Sequence, residues 1–310
     1  MPFLQTFTCL WCGTSHSTRS PDDLEGWAQL CPDCIGKAGD NGFLRFRLHQ
    51  ALRERSAASR GGDEATSPVA VADAQPTRGR DDAAPDIDRQ MIDYYDARAP
   101  EYDDWYLRRG RYERGAIHDA AWNAELDAAG RWLDGLAWGG EIVELAAGTG
   151  WWSPLLASRG ELSLYDASTA ALDRARERLV AHGLRAHLHV RDAWAEPDRE
   201  VDGLFMGFWL SHIPRDRLAE FLALSRRWLK PGGRIAFIDS LDDPASRAVD
   251  HAPPADDRAV RTLGDGREFT IVKVFYDPDE LRQALSGAGF DAVDVSTTGR
   301  FFILGTAVRR

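Results

Sequence analysis

The sequence of 310 residues contains no apolar run near the roughly 18 residues that a membrane-spanning helix needs. Its first residues, MPFLQTFTCLWCG, lack the basic start, the long apolar stretch and the small-residue cleavage site of a signal peptide. Apolar residues still make up 44% of the chain, which is enough for a substantial core. We therefore expect a soluble, cytoplasmic protein with no membrane partner.

The chain also lacks an excess of positive charge. Its formal net charge is -11, and residues 1–55 carry six basic and six acidic side chains. Nonspecific binding to nucleic acid draws most of its free energy from Lys and Arg that neutralise phosphates. The composition therefore argues against a nucleic-acid partner, and for the N-terminal part it leaves contact with a protein as a hypothesis.

Residues 56–86 contain no aromatic residue, Leu, Ile or Met. Such a segment has too little apolar surface to offset the entropy lost on ordering, which predicts a flexible linker. The linker divides the chain into a module over residues 1–55 and a larger domain over residues 87–310.

All four cysteines of the chain lie in the first module, as two C-x-x-C pairs separated by 18 residues: Cys9, Cys12, Cys31 and Cys34. This spacing is typical of a zinc ribbon, in which two tight turns bring four thiolates to one tetrahedral Zn²⁺. Four thiolates leave no open coordination position, so the metal would be structural. An iron–sulfur cluster fits the same spacing, whereas a redox dithiol would need a βαβ unit that the module lacks.

Short apolar runs alternate with helical patterns through the larger domain. The predicted strands are 141–147, 162–167, 187–193, 201–208 and 233–240, and the predicted helices between them include 169–183, where Leu172, Ala175, Leu179 and Val180 are spaced for one face. This alternation predicts an α/β fold whose mostly parallel sheet has helices on both faces. Two β-rich runs at 291–310, joined by TTG, predict an antiparallel pair at its edge.

A glycine-rich turn and two acids follow the first three of these strands. The stretch EIVELAAGTGWWS places Gly148 and Gly150 just past a buried strand, where a ligand needs close backbone approach. Asp166 ends the next strand and Asp192 the third, where their carboxylates can accept hydrogen bonds from ribose hydroxyls and from an adenine amino group. A simple strand-to-helix turn and solvated turn acids remain the alternative interpretation.

The motifs EIVELAAGTG, LYDAS, RDAWAEP, GFWLSHIP and LKPGGRIAFIDS, in this order, resemble the class I S-adenosylmethionine-dependent methyltransferase family over residues 87–310. The resemblance implies a Rossmann-like, doubly wound sheet of seven strands and S-adenosyl-L-methionine as cofactor. It implies the following cofactor-binding residues: Glu144 at the methionine amino group, Ala146, Gly148 and Gly150 in the turn, Asp166 at the ribose, and Asp192 with Ala193 near adenine. Ala146 stands where the family often has glycine.

A nicotinamide dehydrogenase is the main competing interpretation of a glycine turn followed by an acid. Its fingerprint, G-x-G-x-x-G, needs a third glycine that GTGWWS lacks. The bulky Trp151 and Trp152 also occupy positions where helix and strand should pack closely. The sequence therefore favours methyl transfer.

Methyl transfer from a sulfonium needs positioning and exclusion of water, with a base only for some acceptors. His212, just past the fourth strand, is the candidate catalytic base, with a purely structural hydrogen-bonding role as the alternative. The segment YYDARAPEYDDWY resembles the family's lid helix, in which Tyr102 would close on the cofactor and share a face with Tyr95 unless Pro100 breaks the helix. Trp151 and Trp209 are predicted to approach the cofactor.

No N-P-P-Y or D-P-P-Y motif, common in the family's nucleic-acid and glutamine methyltransferases, follows the fourth strand. Together with the acidic charge, this favours a small-molecule acceptor whose specificity comes from residues 241–276, including a predicted loop over residues 251–267. The alternatives are an RNA or protein methyltransferase that docks its substrate on the zinc module, and a nonenzymatic regulator that retains cofactor binding.

Overall fold

The computed structural model describes residues 5–8, 15–18 and 87–310. The chain divides into two compact units, Met1–Asp82 and Ala83–Arg310. In the first unit, β1 (Gln5–Thr8) pairs antiparallel with β2 (Ser15–Thr18). The predicted linker over 56–86 lies outside the described residues, as do the four predicted metal ligands Cys9, Cys12, Cys31 and Cys34.

The second unit is an α/β domain. Its strands are β3 (Glu141–Leu145), β4 (Glu161–Asp166), β5 (His187–Val190), β6 (Val201–Gly207), β7 (Leu229–Ser240), β8 (Arg258–Thr262), β9 (Glu268–Val272), β10 (Phe290–Thr297) and β11 (Phe302–Arg309). Its helices are α1 (Ile87–Arg98), α2 (Asp103–Leu107), α3 (Ala116–Asp134), α4 (Ser153–Ala157), α5 (Thr169–Ala181), α6 (Leu218–Arg227) and α7 (Pro278–Gly287). No helix in the described ranges is long and apolar enough to cross a membrane.

Seven of the strands form one sheet in the order β10-β11-β7-β6-β3-β4-β5. The five neighbouring strands β7, β6, β3, β4 and β5 run parallel to one another. Strand β11 pairs antiparallel with both β7 and β10. This confirms the predicted Rossmann-like sheet with its antiparallel edge hairpin. The chain moves outward from β3 to β5 and then returns to place β6 on the other side of β3, so a crevice opens beyond the carboxyl ends of β3 and β6.

Helix α5 shows how local sequence determines this packing. The Ser168 hydroxyl caps it by accepting a hydrogen bond from the Ala171 backbone N–H. Leu172, Ala175 and Leu179 are buried on the predicted face. The prediction was wrong for Val180, which is 68% exposed, because each helical residue turns the side chain by about 100° away from its neighbour.

Two other predicted features differ in the structure. The predicted loop over 251–267 contains β8, which pairs antiparallel with β9, because its alternating buried and exposed residues suit a half-buried strand. The predicted lid helix is interrupted at Pro100: α1 ends at Arg98 and α2 begins at Asp103. Proline has no N–H to donate and disfavours helical geometry in the residue before it.

Candidate functional site

A cavity of about 830 Å³, counted to its open mouth, lies at the carboxyl ends of the parallel strands under α1. We call it the edge cavity. Eight of the residues predicted for the site line it: Tyr102, Ala146, Gly148, Asp166, Asp192, Ala193, Trp209 and His212. The predicted residues Glu144, Gly150 and Trp151 are not part of its lining.

The turn between β3 and α4 has left-handed backbone at three of its residues. Gly148 has a φ of 55°, and a β-carbon built on it would meet no atom within 4 Å, so its backbone borders open space. Gly150 has a φ of 70°, but a β-carbon there would lie 2.7 Å from the Ala175 β-carbon. Gly150 therefore permits close packing of α5, whereas Gly148 lets the backbone border the cavity.

Ala146 adopts a φ of 50°, a conformation that glycine reaches without steric cost. The departure from glycine at this position thus keeps the left-handed turn and adds one methyl group. The methyl belongs to a residue that lines the edge cavity, so it narrows the space beside the turn.

The Asp166 carboxylate bonds to the glycine turn and to the residue before α5, both of which line the edge cavity. Its Oδ2 accepts a hydrogen bond from the Gly148 backbone N–H at 2.8 Å, and its Oδ1 accepts one from the Ser168 N–H at 2.8 Å. Burial raises the pKa of Asp166 to about 6, although both backbone hydrogen bonds oppose the rise. Each carboxylate oxygen has a second lone pair, so Asp166 can still accept hydrogen bonds from a ligand.

Asp192, Ala193 and Trp209, which also line the edge cavity, suit a nucleobase such as adenine. Asp192 Oδ1 accepts a hydrogen bond from the Trp194 backbone N–H at 2.8 Å, and Ala193 beside it is buried. The Trp209 indole Nε1 is buried and has no hydrogen-bond partner among the described residues. Two acids at successive strand ends and open space at Gly148 fit a nucleoside cofactor.

Glu144 lies behind the turn. It is 1% exposed, and its Oε2 accepts a hydrogen bond from the Ser153 hydroxyl at 2.5 Å. Burial, opposed by the Ser153 hydrogen bond, raises the pKa of Glu144 to about 8. Trp151 is likewise buried, with its ring stacked on the Tyr106 ring at 4.1 Å between centroids. These contacts of Glu144 and Trp151 stabilise the turn between β3 and α4.

Replacing Glu144 by Gln is expected to make stability depend less on pH. Between pH 4.5 and about 8, the unfolded chain loses a proton that the folded chain keeps, so rising pH destabilises the wild type through this group. We expect the Tm of the variant minus the Tm of the wild type, measured without cofactor, to rise by at least about 2–4 °C as the pH is raised across that window. A difference that stays constant with pH would contradict the raised pKa.

The lid and the candidate base meet at one end of the edge cavity. His212 is buried, and its Nδ1 lies 2.7 Å from the Val272 carbonyl oxygen, which can only accept. Nδ1 therefore carries the proton, and Nε2 accepts a hydrogen bond from the Tyr95 hydroxyl at 2.7 Å. The rings of Tyr95 and Tyr102 lie 6.0 Å apart between centroids although Pro100 interrupts the helix.

Burial makes both members of this pair neutral. Burial, with a smaller effect of the nearby Lys273 ammonium, holds the pKa of His212 well below its usual value of 6.5. Burial also raises the pKa of Tyr95 well above its usual value of 10.0. At neutral pH the imidazole is therefore an unprotonated acceptor and the phenol a protonated donor.

Several lining residues were not predicted from the sequence. They include Met91, Ile92, Thr149, Ser168 and Trp194. Trp194 had a readable signal, because it directly follows Asp192 and Ala193 past the third strand. Met91 and Tyr95, four residues apart on α1, share a helical face that the pattern alone assigns to the core.

A parallel sheet with a crevice at its switch point, a glycine turn on the first strand and acids on the next two define an α/β protein of the nucleoside-cofactor class. Comparison with known proteins identifies the branch. A family model described as a methyltransferase domain matches residues 142–233. The ubiquinone/menaquinone biosynthesis C-methyltransferase UbiE of Neisseria meningitidis is 26% identical over 170 residues, which cover 50% of this chain and 69% of UbiE.

Two solved structures are similar over most of their own length. A complex of DhpI with SAH is 30% identical and covers 71% of this chain and 96% of its own, with a TM-score of 0.57. A DhpI–SAM–HEP complex is 29% identical and covers 73% and 99% of the two chains, with a TM-score of 0.59. The chain belongs to the S-adenosylmethionine-dependent methyltransferase family, and it is an enzyme of that activity with S-adenosyl-L-methionine as its cofactor.

Proposed function

We propose that this methyltransferase acts on a small-molecule acceptor that binds in a second cavity, beside the edge cavity. The second cavity measures about 570 Å³ to its mouth and is lined by residues of α1, β8 and β9 and by Lys273. The observation that carries the proposal is that Tyr95, Tyr102, Phe208 and His212 line both cavities. A cofactor in one and a small acceptor in the other would meet at these four side chains.

The position of the second cavity supports a small acceptor, because it adjoins the edge cavity at shared side chains. Its walls come from α1 and from residues after β7, the segment predicted to carry specificity. The name of UbiE, a methyltransferase of ubiquinone and menaquinone biosynthesis, is in keeping with a small acceptor.

We assign the edge cavity to the cofactor. In this proposal Asp166 accepts hydrogen bonds from the ribose hydroxyls, Asp192 and Ala193 border the adenine, and Tyr102 covers the methionine end. Ala146, Gly148 and the Trp209 ring also line this cavity and would border the cofactor. Glu144, Gly150 and Trp151 act indirectly, because they hold the shape of the turn.

The chemistry follows from this arrangement. S-adenosyl-L-methionine, when bound, would supply a sulfonium methyl group, with the sulfur as leaving group. We call the place where the two cavities meet, at Tyr95, Tyr102, Phe208 and His212, the junction. Its aromatic side chains exclude water and orient the acceptor. For an acceptor that must lose a proton, the Tyr95 hydroxyl relays that proton to His212 Nε2.

The test is transfer of a labelled methyl group from the cofactor into a cell extract that is afterwards separated into small-molecule, RNA and protein fractions. We expect the label in the small-molecule fraction with the wild type, and none with a variant that cannot bind the cofactor. Label found only in RNA or protein would overturn the proposal in favour of a macromolecular substrate.

We also propose a structural zinc site at Cys9, Cys12, Cys31 and Cys34. In sequence, the first pair falls between the paired strands β1 and β2, as expected for a cysteine turn at the tip of a hairpin. The 18-residue separation of the two C-x-x-C pairs also suits a four-thiolate shell around one Zn²⁺.

Metal analysis of the purified full chain should find about one zinc per chain, and a colourless protein. A double substitution, Cys9→Ser with Cys12→Ser, should lose that zinc because two thiolate ligands are removed. Visible absorption together with bound iron would show an iron–sulfur cluster instead.

A further inference from the structure

The second cavity carries an unusual charge balance for a protein of net charge -11. Arg98, Arg247, Arg261 and Lys273 line it, whereas none of the described residues in its lining is an aspartate or glutamate. The edge cavity next to it is lined by Asp88, Asp166 and Asp192. Positive charge is thus concentrated in the second cavity, and negative charge in the edge cavity.

Arg98 is 9% exposed and comes from the last residue of α1. Its Nη2 donates a hydrogen bond to the Tyr112 hydroxyl at 3.0 Å, and its guanidinium lies 4.5 Å from the Tyr102 ring centroid. Its Nε is buried without a hydrogen-bond partner among the described residues. A buried guanidinium normally has a carboxylate or another acceptor for each of its donors, so this group has unused donor capacity.

Arg261 on β8 is 7% exposed, and its Nη1 donates to the carbonyl oxygen of the preceding Val260 at 3.1 Å. Burial lowers the pKa of Arg261 below its usual value. The contacts of Arg98 and Arg261 described here are with neutral groups. Both cations are therefore buried with little electrostatic compensation, a costly state unless an anion joins them.

Lys273, just after β9, lies near Asp239, and the carboxylate of Asp242 acts on it more weakly. Its Nζ donates to the Ser211 hydroxyl at 2.8 Å and lies 4.0 Å from Asp239 Oδ1. Both Asp239 oxygens already accept backbone hydrogen bonds, from Ser211 N–H and Ser240 N–H. Burial lowers the pKa of Lys273 to about 8, although Asp239 opposes this. Arg247 is satisfied separately, since its Nη1 pairs with Asp242 Oδ1 at 3.1 Å.

We infer that the acceptor carries an anionic oxyacid group, a phosphate or a carboxylate, which Arg98, Arg261 and Lys273 hold in the second cavity. This assignment rests on the proposed small-molecule methyltransferase function and specifies its substrate class. The anchored group binds among these three cations, and the rest of the acceptor extends toward Tyr95 and His212, which line both cavities. Charge-assisted hydrogen bonds from two guanidinium groups fix the orientation of such an oxyanion.

The test uses the full chain saturated with S-adenosylhomocysteine, which fills the cofactor site without turnover. Inorganic phosphate and acetate are titrated separately by calorimetry, so that a tetrahedral oxyanion is distinguished from a carboxylate. We expect one of them to bind, and Arg261→Gln and Lys273→Met each to weaken that binding at least about tenfold. Arg258→Gln is the matched control, because Arg258 is exposed on the same strand as Arg261.

Unchanged affinity for S-adenosylhomocysteine in the Arg261 and Lys273 variants shows that they are folded. Binding of neither anion, or equal binding by variants and wild type, would overturn the inference. In the labelling experiment, a labelled small molecule without an acid group overturns this inference alone. Label only in protein or RNA overturns the proposed function, and this assignment with it.

Discussion

Asp166→Ala is expected to weaken binding of S-adenosylhomocysteine by about a hundredfold, as measured by calorimetry. In the proposed role its carboxylate accepts hydrogen bonds from both ribose hydroxyls. The substitution also removes the acceptor for the Gly148 and Ser168 backbone N–H groups, which shape the turn and the start of α5. The loss therefore combines missing ligand contacts with a less ordered site.

The matched control for this experiment is Asp173→Ala on α5, since Asp173 is exposed and lies outside the edge cavity. Its affinity should equal that of the wild type. Circular dichroism and Tm of Asp166→Ala should show a folded domain. Undiminished affinity in the folded Asp166 variant would refute the ribose-binding role.

Tyr95→Phe and His212→Asn are each expected to lower kcat by about a hundredfold, for an acceptor whose nucleophile must lose a proton. The phenylalanine ring fills the same space but breaks the 2.7 Å hydrogen bond to His212 Nε2. Affinity for S-adenosylhomocysteine should change little in Tyr95→Phe. The assay follows formation of S-adenosylhomocysteine with the small-molecule fraction identified by labelling, and His187→Asn is the control because His187 is exposed on β5.

If Tyr95 and His212 act as one relay, the double variant should lose no more kcat than either single variant. Losses that multiply would mean independent roles, and an unchanged kcat would leave only the structural role. The pH profile gives a further check. A base must be unprotonated, and the pKa of His212 lies well below 6.5, so any loss of kcat through His212 protonation should appear only below that pH.

The order and type of the main elements could be predicted from the sequence because their signals are local. Apolar runs closed by Gly or Asp marked β3 to β7, and cap residues marked the helices between them. The miss over 251–267 has a clear origin. β8 and β9 are each only five residues long, and alternation over so few residues does not by itself distinguish a strand from a loop.

The candidate site was predictable where its residues sit at strand ends. Gly148, Asp166 and Asp192 follow successive parallel strands, and parallel strands bring their carboxyl ends to one edge of the sheet. Glu144 and Gly150 belong to the same motifs yet do not line the edge cavity, because a sequence position does not reveal to which side of a turn a group points. In the structure Glu144 contacts Ser153, and Gly150 packs against Ala175.

The sequence by itself determined the α/β alternation, the antiparallel end of the sheet, the acids at the carboxyl edge of the sheet and the resemblance to methyltransferases. Only the tertiary structure decided the pairing of Tyr95 with His212 and the meeting of Arg98, Arg261 and Lys273 around one cavity. Hydrophobic periodicity acts over a few residues and can be read along the chain. The approach of Arg98 to Arg261 and Lys273, 163 and 175 residues further along the chain, depends on how distant segments fold together, which no local pattern reveals.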